Sequence, residues 1–171
     1  MNRLSRGRVL VGAISGNIQA EAGSITRTEL SSAAARKPIQ VDSATIATTG
    51  NTDAYVIAPE TGTLASVDFS GVDALATSDT NYITWTITNL GQAGAGSTAM
   101  LATTPTGVNT TRATGGAAIA ANTKKSLTVH GTAANVAVTA GDRLLVRAAA
   151  TGTLANTVTF PTYILRFTGT T

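Results

Sequence analysis

Nine consecutive residues, Asn81-Tyr82-Ile83-Thr84-Trp85-Thr86-Ile87-Thr88-Asn89, alternate without interruption. Ile83, Trp85 and Ile87 fall on one side; Tyr82, Thr84, Thr86 and Thr88 fall on the other. A period of two sends these sets to opposite faces of a strand, one dry and one wet. The residues are β-branched or aromatic, the types that fit a pleated surface. Trp85 is the only tryptophan, and a large ring between two isoleucines is a natural nucleus for a small core. Residues 81–89 are therefore expected to form a central strand of a β-sandwich, with Trp85 in a packing role.

The rest of the composition agrees. The chain holds 32 Thr and 30 Ala among 171 residues, and this balance of strand-favouring and small side chains points to an all-β fold with closely packed sheets. The length suits one domain plus an appendage. Cysteine is absent, which removes disulfides and thiolate metal sites. No run of eighteen apolar residues offers a membrane span. The start of the chain has a faint signal-peptide look, but the apolar stretch Val9–Ile14 is shorter than the usual core of such a peptide and contains Gly12.

Charge divides the chain in two. Residues 1–37 carry Arg3, Arg6, Arg8, Arg27, Arg36 and Lys37 against Glu21 and Glu29, a net +4, whereas residues 38–171 are net −1. Leu4, Val11, Ile14 and Ile18 have helical spacing, yet Gly7, Gly12 and Gly16 weaken a helix. The stretch ends in Ser31-Ser32-Ala33-Ala34-Ala35-Arg36-Lys37-Pro38, a linker closed by proline. Two units are expected: a basic N-terminal arm and linker over 1–37, extended and ordered mainly by what it touches, and a β-sandwich over 38–171. The six cations of the arm are the expected partner-binding residues, suited to an acidic surface or nucleic acid.

Strand patterning begins at Ile39. Val41 and Ile46 differ in parity, which predicts a bulge near Ser43. Tyr55-Val56-Ile57-Ala58 is a short apolar run stopped by the turn Pro59-Glu60-Thr61-Gly62. Ala65, Val67 and Phe69 then alternate with Leu64, Ser66 and Asp68. A strand is expected at 97–104, followed by an exposed excursion over 105–124 with one weak strand near Ile119. Gly141-Asp142 supplies a turn into a strong strand whose Leu144, Val146 and Ala148 face inward. The last strand, 156–168, changes parity at Pro161: Val158 and Phe160 point in before it, and Tyr163, Leu165 and Phe167 after it. Ile83, Trp85, Ile87, Leu144, Val146 and Phe167 are the core markers. About eight antiparallel strands at this spacing suit a sandwich of jelly-roll type.

The search for chemistry returns little. His130 is the single histidine and lies on the polar parity of its strand, so it reads as a surface side chain rather than a base. No Gly-x-Ser-x-Gly elbow and no phosphate-cradling glycine loop occurs. The acidic residues Asp42, Asp53, Glu60, Asp68, Asp73, Asp79 and Asp142 cluster at expected turns, where capping is their usual work. Asp73 and Asp79 share a loop but lack the spacing of a dedicated calcium site. Asn109-Thr110-Thr111 matches a glycosylation sequon, a pattern frequent by chance. Few aromatics and a slightly negative body argue against nucleic-acid contact by the β domain. No catalytic residue, metal ligand or cofactor site is expected.

Two phrases carry a resemblance: Tyr55-Val56-Ile57-Ala58-Pro59-Glu60-Thr61-Gly62-Thr63-Leu64 and Val138-Thr139-Ala140-Gly141-Asp142-Arg143-Leu144-Leu145-Val146. With a basic, Ala/Ser/Gly-rich arm ahead of a Thr/Ala/Gly-rich sandwich, the chain resembles the decoration (cement) proteins on the heads of tailed bacteriophages. The likeness covers roughly residues 50–171. It implies a non-enzymatic virion protein on the outer capsid surface, assembled in the host cytoplasm and seated as a trimer or other homo-oligomer across major capsid protein subunits. The arm would anchor it. Two other readings share the fold: a head fibre or collar component, and a secreted carbohydrate-binding or adhesin-like module for which Tyr82, on the wet face of the central strand, would be the stacking ring.

Overall fold

The computed structural model describes residues 38–102 and 108–169. The expected arm, with Arg3, Arg6, Arg8, Arg27, Arg36 and Lys37, lies outside the described residues. Within them the alternating segments become strands: β1 (Ile39–Asp42), β2 (Gly50–Ile57), β3 (Gly62–Ser70), β4 (Tyr82–Asn89), β5 (Thr98–Ala99) and β6 (Lys125–Leu127). A single helical turn, α1 (Ala133–Val136), precedes β7 (Ala137–Val138), β8 (Arg143–Thr151) and β9 (Thr162–Gly169).

All pairings are antiparallel. The first sheet runs β1-β9-β3-β6, with the short β7 also on β3; the second runs β2-β8-β4-β5. Apart from β7, the first strand pairs with the last, the second with the next to last, and so inward to β4 with β5. That nested order is a doubled ribbon rolled once round a core, the jelly-roll form of the β-sandwich. The fold class expected from alternation alone is the one observed.

The core lies between the sheets. Ile83, Trp85 and Ile87 of β4, Leu144 and Val146 of β8 and Phe167 of β9 are all buried there, as their parity predicts. Phe69 of β3 sits between Trp85, at a centroid distance of 4.9 Å, and Tyr163 of β9, at 5.3 Å. Both pairs are tilted, a favoured arrangement for aromatic quadrupoles. Gly62 allows β3 to lie close on β9, since a Cβ there would collide with the Thr168 carbonyl oxygen. Gly141, at φ +91°, makes the turn into β8, where the Asp142 carboxylate accepts hydrogen bonds from Thr139 N–H and Asn89 Nδ2.

Four expectations are corrected. Strand β1 ends at Asp42, and the parity change arises because Ser43 and Ile46 bond separately to the Pro161 and Val158 carbonyls rather than through a bulge. The bulge instead falls in β3 between Leu64 and Ser66, so Leu64 turns inward with Val67 and Phe69 while Ala65 is exposed. Within the described part of the expected 97–104 strand, residues 97–102, Thr98–Ala99 form a strand and Leu101 makes an isolated antiparallel bridge to Val129.

Residues 108–124 of the expected excursion are exposed only in part, at 113–115, 118 and 120–124, and Ile119 makes the expected weak strand contact as an isolated bridge to Leu75. Asn109, Thr110, Thr111 and Ile119 are buried. Their polar side chains replace missing strand partners. Thr110 Oγ1 donates to the Ile83 carbonyl, Thr111 Oγ1 accepts from Ile83 N–H, and Trp85 N–H donates to the Asn109 carbonyl. The Asn109 amide donates to the Ala102 and Thr128 carbonyls. A sequon asparagine held this way has no free side-chain amide to modify.

Phe160 is the fourth correction. It is 78% exposed and sits at φ +48°, a left-handed conformation costly for a bulky side chain. The neighbouring bonds impose it: Thr159 N–H and Oγ1 both donate to Asp73, and the Pro161 carbonyl accepts from Ser43. Replacing Phe160 with glycine should raise unfolding stability by about 1 kcal/mol, measured by urea titration. Unchanged or lower stability would show that the strain is not stored there.

Candidate functional site

The outer face of the second sheet is the surface most unlike an ordinary solvated one. It is built from alternate residues of three neighbouring strands: Asp53, Tyr55 and Ile57 on β2; Arg143, Leu145 and Arg147 on β8; Tyr82, Thr84 and Thr86 on β4. Register places Asp53 opposite Arg147, and the guanidinium grips the carboxylate through Nε and Nη2, each at 2.7 Å. That bidentate bond holds the Asp53 carboxyl below the usual carboxylate range. One register step away, the Arg143 guanidinium lies 5.4 Å from the centre of the Tyr55 ring. Near the other margin Arg112 lies 5.9 Å from the Tyr82 ring and 3.3 Å from Asp79.

Tyr55 and Ile57 are each 54% exposed. Sequence reading grouped them with Val56 and Ala58 as one apolar run. The run splits: Val56 and Ala58 enter the core while Tyr55 and Ile57 stay in water. The signal was available in Thr52, Ala54, Val56 and Ala58, which share a parity and are all buried.

A cleft of about 280 Å³ opens on the same face beside β4, lined by Tyr82, Thr84, Thr86, Ala99 and Arg112 among others. It lies where β4 passes from its pairing with β5 to its bonds with residues 109–111.

The outer face of the first sheet differs. Asp68, 5% exposed, accepts from Arg166 at 2.6 Å and Ser126 at 2.8 Å, with Lys124 at 3.6 Å. Burial raises its carboxyl, but these donors and charges outweigh it and leave a net lowering. Asp53 and Asp68 therefore sit within strands, Asp53 directly opposite Arg147 and Asp68 opposite Ile164 with Arg166 reaching it from the diagonal position. Asp73 and Asp79 are engaged by Thr159 and by Thr114 and Arg112 respectively. Among the described residues no three His, Cys, Asp or Glu side chains come together. His130 Nδ1 accepts from Thr132 N–H just before α1, a local turn contact.

One cation points inward. Lys125 of β6 is 8% exposed, lies 5.6 Å from the Trp85 ring and donates to the Ala117 and Ala118 carbonyls. Its stem crosses the edge of the core while its ammonium reaches the loop carbonyls. Burial pushes the ammonium down to about 8.

A search against family models, curated proteins and solved structures finds no match to the chain.

The buried lysine gives a signed prediction. The unfolded chain keeps a lysine proton to about pH 10.4, so between pH 8 and 10 it binds more protons than the folded chain and stability rises with pH. Tyr163, its phenol pushed up by burial, acts in the opposite sense only above about pH 10, where unfolded tyrosines ionise. Urea titrations from pH 7.5 to 10 should show the rise in the native sequence and a flatter profile in Lys125→Met. Equal slopes would remove the assignment.

Proposed function

We propose that the chain is a non-enzymatic structural protein of a tailed-phage virion, a decoration protein that binds across major capsid protein subunits and stabilises the shell. The observation that carries this reading is the outer face of the second sheet. Tyrosine and arginine are the residue types enriched where protein surfaces meet, and they dominate the energetics there. Here Arg143 and Tyr55 form such a pair beside exposed Ile57, and Arg112 and Tyr82 form another at the far margin of the face. The jelly-roll body supports it, being a form that viral shell proteins use. The net +4 segment joined to β1 supplies an anchor of the charge expected for an acidic capsid surface.

A sugar-binding role uses the same face less well. The rings of Tyr55 and Tyr82 each have a guanidinium stacked near them, so a stacking sugar would compete with it.

The test is the virion itself. Particles purified from the phage whose genome encodes this chain should contain it in a fixed ratio to the major capsid protein, with density on the outer shell by cryo-electron microscopy. Removing residues 1–37 should greatly reduce its copy number. Density confined to the collar or fibres would transfer the protein to those parts. Absence from virions together with binding on a glycan array would overturn the reading in favour of a carbohydrate-binding module.

A further inference from the structure

Apart from the two-residue β7, four strands end the two sheets: β1 and β6 in the first, β2 and β5 in the second. Three are blunted by means folded proteins use against edge pairing, namely shortness and charge. Strand β1 has four residues and carries Asp42, β5 has two, and β6 has three beginning at Lys125, directly after Lys124. Strand β2 is different. It runs eight residues with no proline and no lysine, in unbroken register with β8.

Its hydrogen-bonding sides can be assigned. Ala58 N–H donates to the Asp142 carbonyl, and the Ala58 carbonyl accepts from Gly141. Residues of that parity, Thr52, Ala54 and Val56, therefore bond to β8. The main-chain groups of Asn51, Asp53, Tyr55 and Ile57 face away from β8. Two of the four large apolar side chains exposed among the described residues, Tyr55 and Ile57, lie on these same positions.

We propose that this edge pairs with the same edge of a second copy, β2 against β2 in antiparallel sense, joining two four-stranded sheets into one of eight. A strand edge presents donors and acceptors in alternation, so in a two-fold antiparallel arrangement it is its own complement. The one charged residue of β2, Asp53, is already gripped by Arg147, so a second copy meets no unneutralised like charge along the seam. Tyr55 and Ile57 would each gain a cross-strand neighbour and lose part of their exposure. Pairing identical strands closes at two, so this contact yields a dimer and not the trimer that the resemblance to decoration proteins implies. It stands independently of the virion reading.

Sedimentation equilibrium of the full chain should give twice 17.2 kDa. Ile57→Lys, which places a guarding charge on the edge, should weaken association about ten-fold or more. Val72→Lys, at an exposed apolar position away from β2, should leave association unchanged. Hydrogen exchange on the unmodified chain gives a readout independent of any variant's folding. The amides of Asp53, Tyr55 and Ile57 should exchange slowly at concentrations where the dimer forms and rapidly on dilution. The proposal is overturned by a monomer at the highest soluble concentration, whether its edge amides are open or covered by another part of the chain. An oligomer that ignores Ile57→Lys, or whose edge amides exchange rapidly, overturns it equally.

Discussion

The contact on which this structure depends is Phe69 held between Trp85 and Tyr163. Phe69 and Tyr163 stand on adjacent strands of the first sheet and Trp85 on the second, so the cluster joins the two layers. Only seven aromatic residues occur in 171, and three of them meet here. Tilted aromatic pairs add about 0.5–1.5 kcal/mol each beyond the area they bury. Around the cluster the core is mostly Val, Ile and Leu, with Ala54, Ala58 and Ala148 as its small members. These offer little area individually but let the sheets approach. The Lys125 ammonium lies 5.6 Å from the centre of the indole ring, so a buried cation borders this cluster.

The strands that pass through the cluster are the ones the sequence declares most clearly. Tyr82–Asn89 alternates in sequence, as do Tyr163, Leu165 and Phe167, because each strand has one face in the core and one outside. In Arg143–Thr151 burial alternates through Ala148, although Leu144-Leu145-Val146 reads as a continuous apolar run. Periodicity reports that division and nothing about partners. The nesting of β1 with β9 and β2 with β8 joins residues from 86 to 126 positions apart, and no local pattern encodes such a pairing. Phe160 misleads for a related reason. Its apolar character and parity with Val158 argue for burial, but the bonds made by Thr159 and Pro161 on either side fix its backbone in a conformation that turns the ring outward.

Threonine accounts for much of what alternation misses. Thr110 and Thr111 are buried and bond through their hydroxyls to Ile83 on the strand they flank. A polar stretch reads as loop because exposed loops are polar, yet the same hydroxyls can satisfy the edge of a strand that lacks a neighbour. The sequon asparagine belongs to this group. Its amide serves the structure by bridging the Ala102 and Thr128 carbonyls.

The two outer faces of the sandwich end up chemically unequal, and the cause lies in how each treats its charges. On the first sheet Asp68 gathers Arg166, Ser126 and Lys124 into one cluster over the strands. Polar partners there are satisfied within the chain, and little is left for another molecule to complete. On the second sheet Arg147 satisfies Asp53, while Arg143 stacks on Tyr55. Tyr55 and Ile57 are left half exposed on the longest unguarded edge. A sandwich built largely from alanine and threonine has little apolar area to spare. Two large apolar side chains half exposed beside main-chain groups that find no partner among the described residues are what the proposed edge-to-edge association would cover.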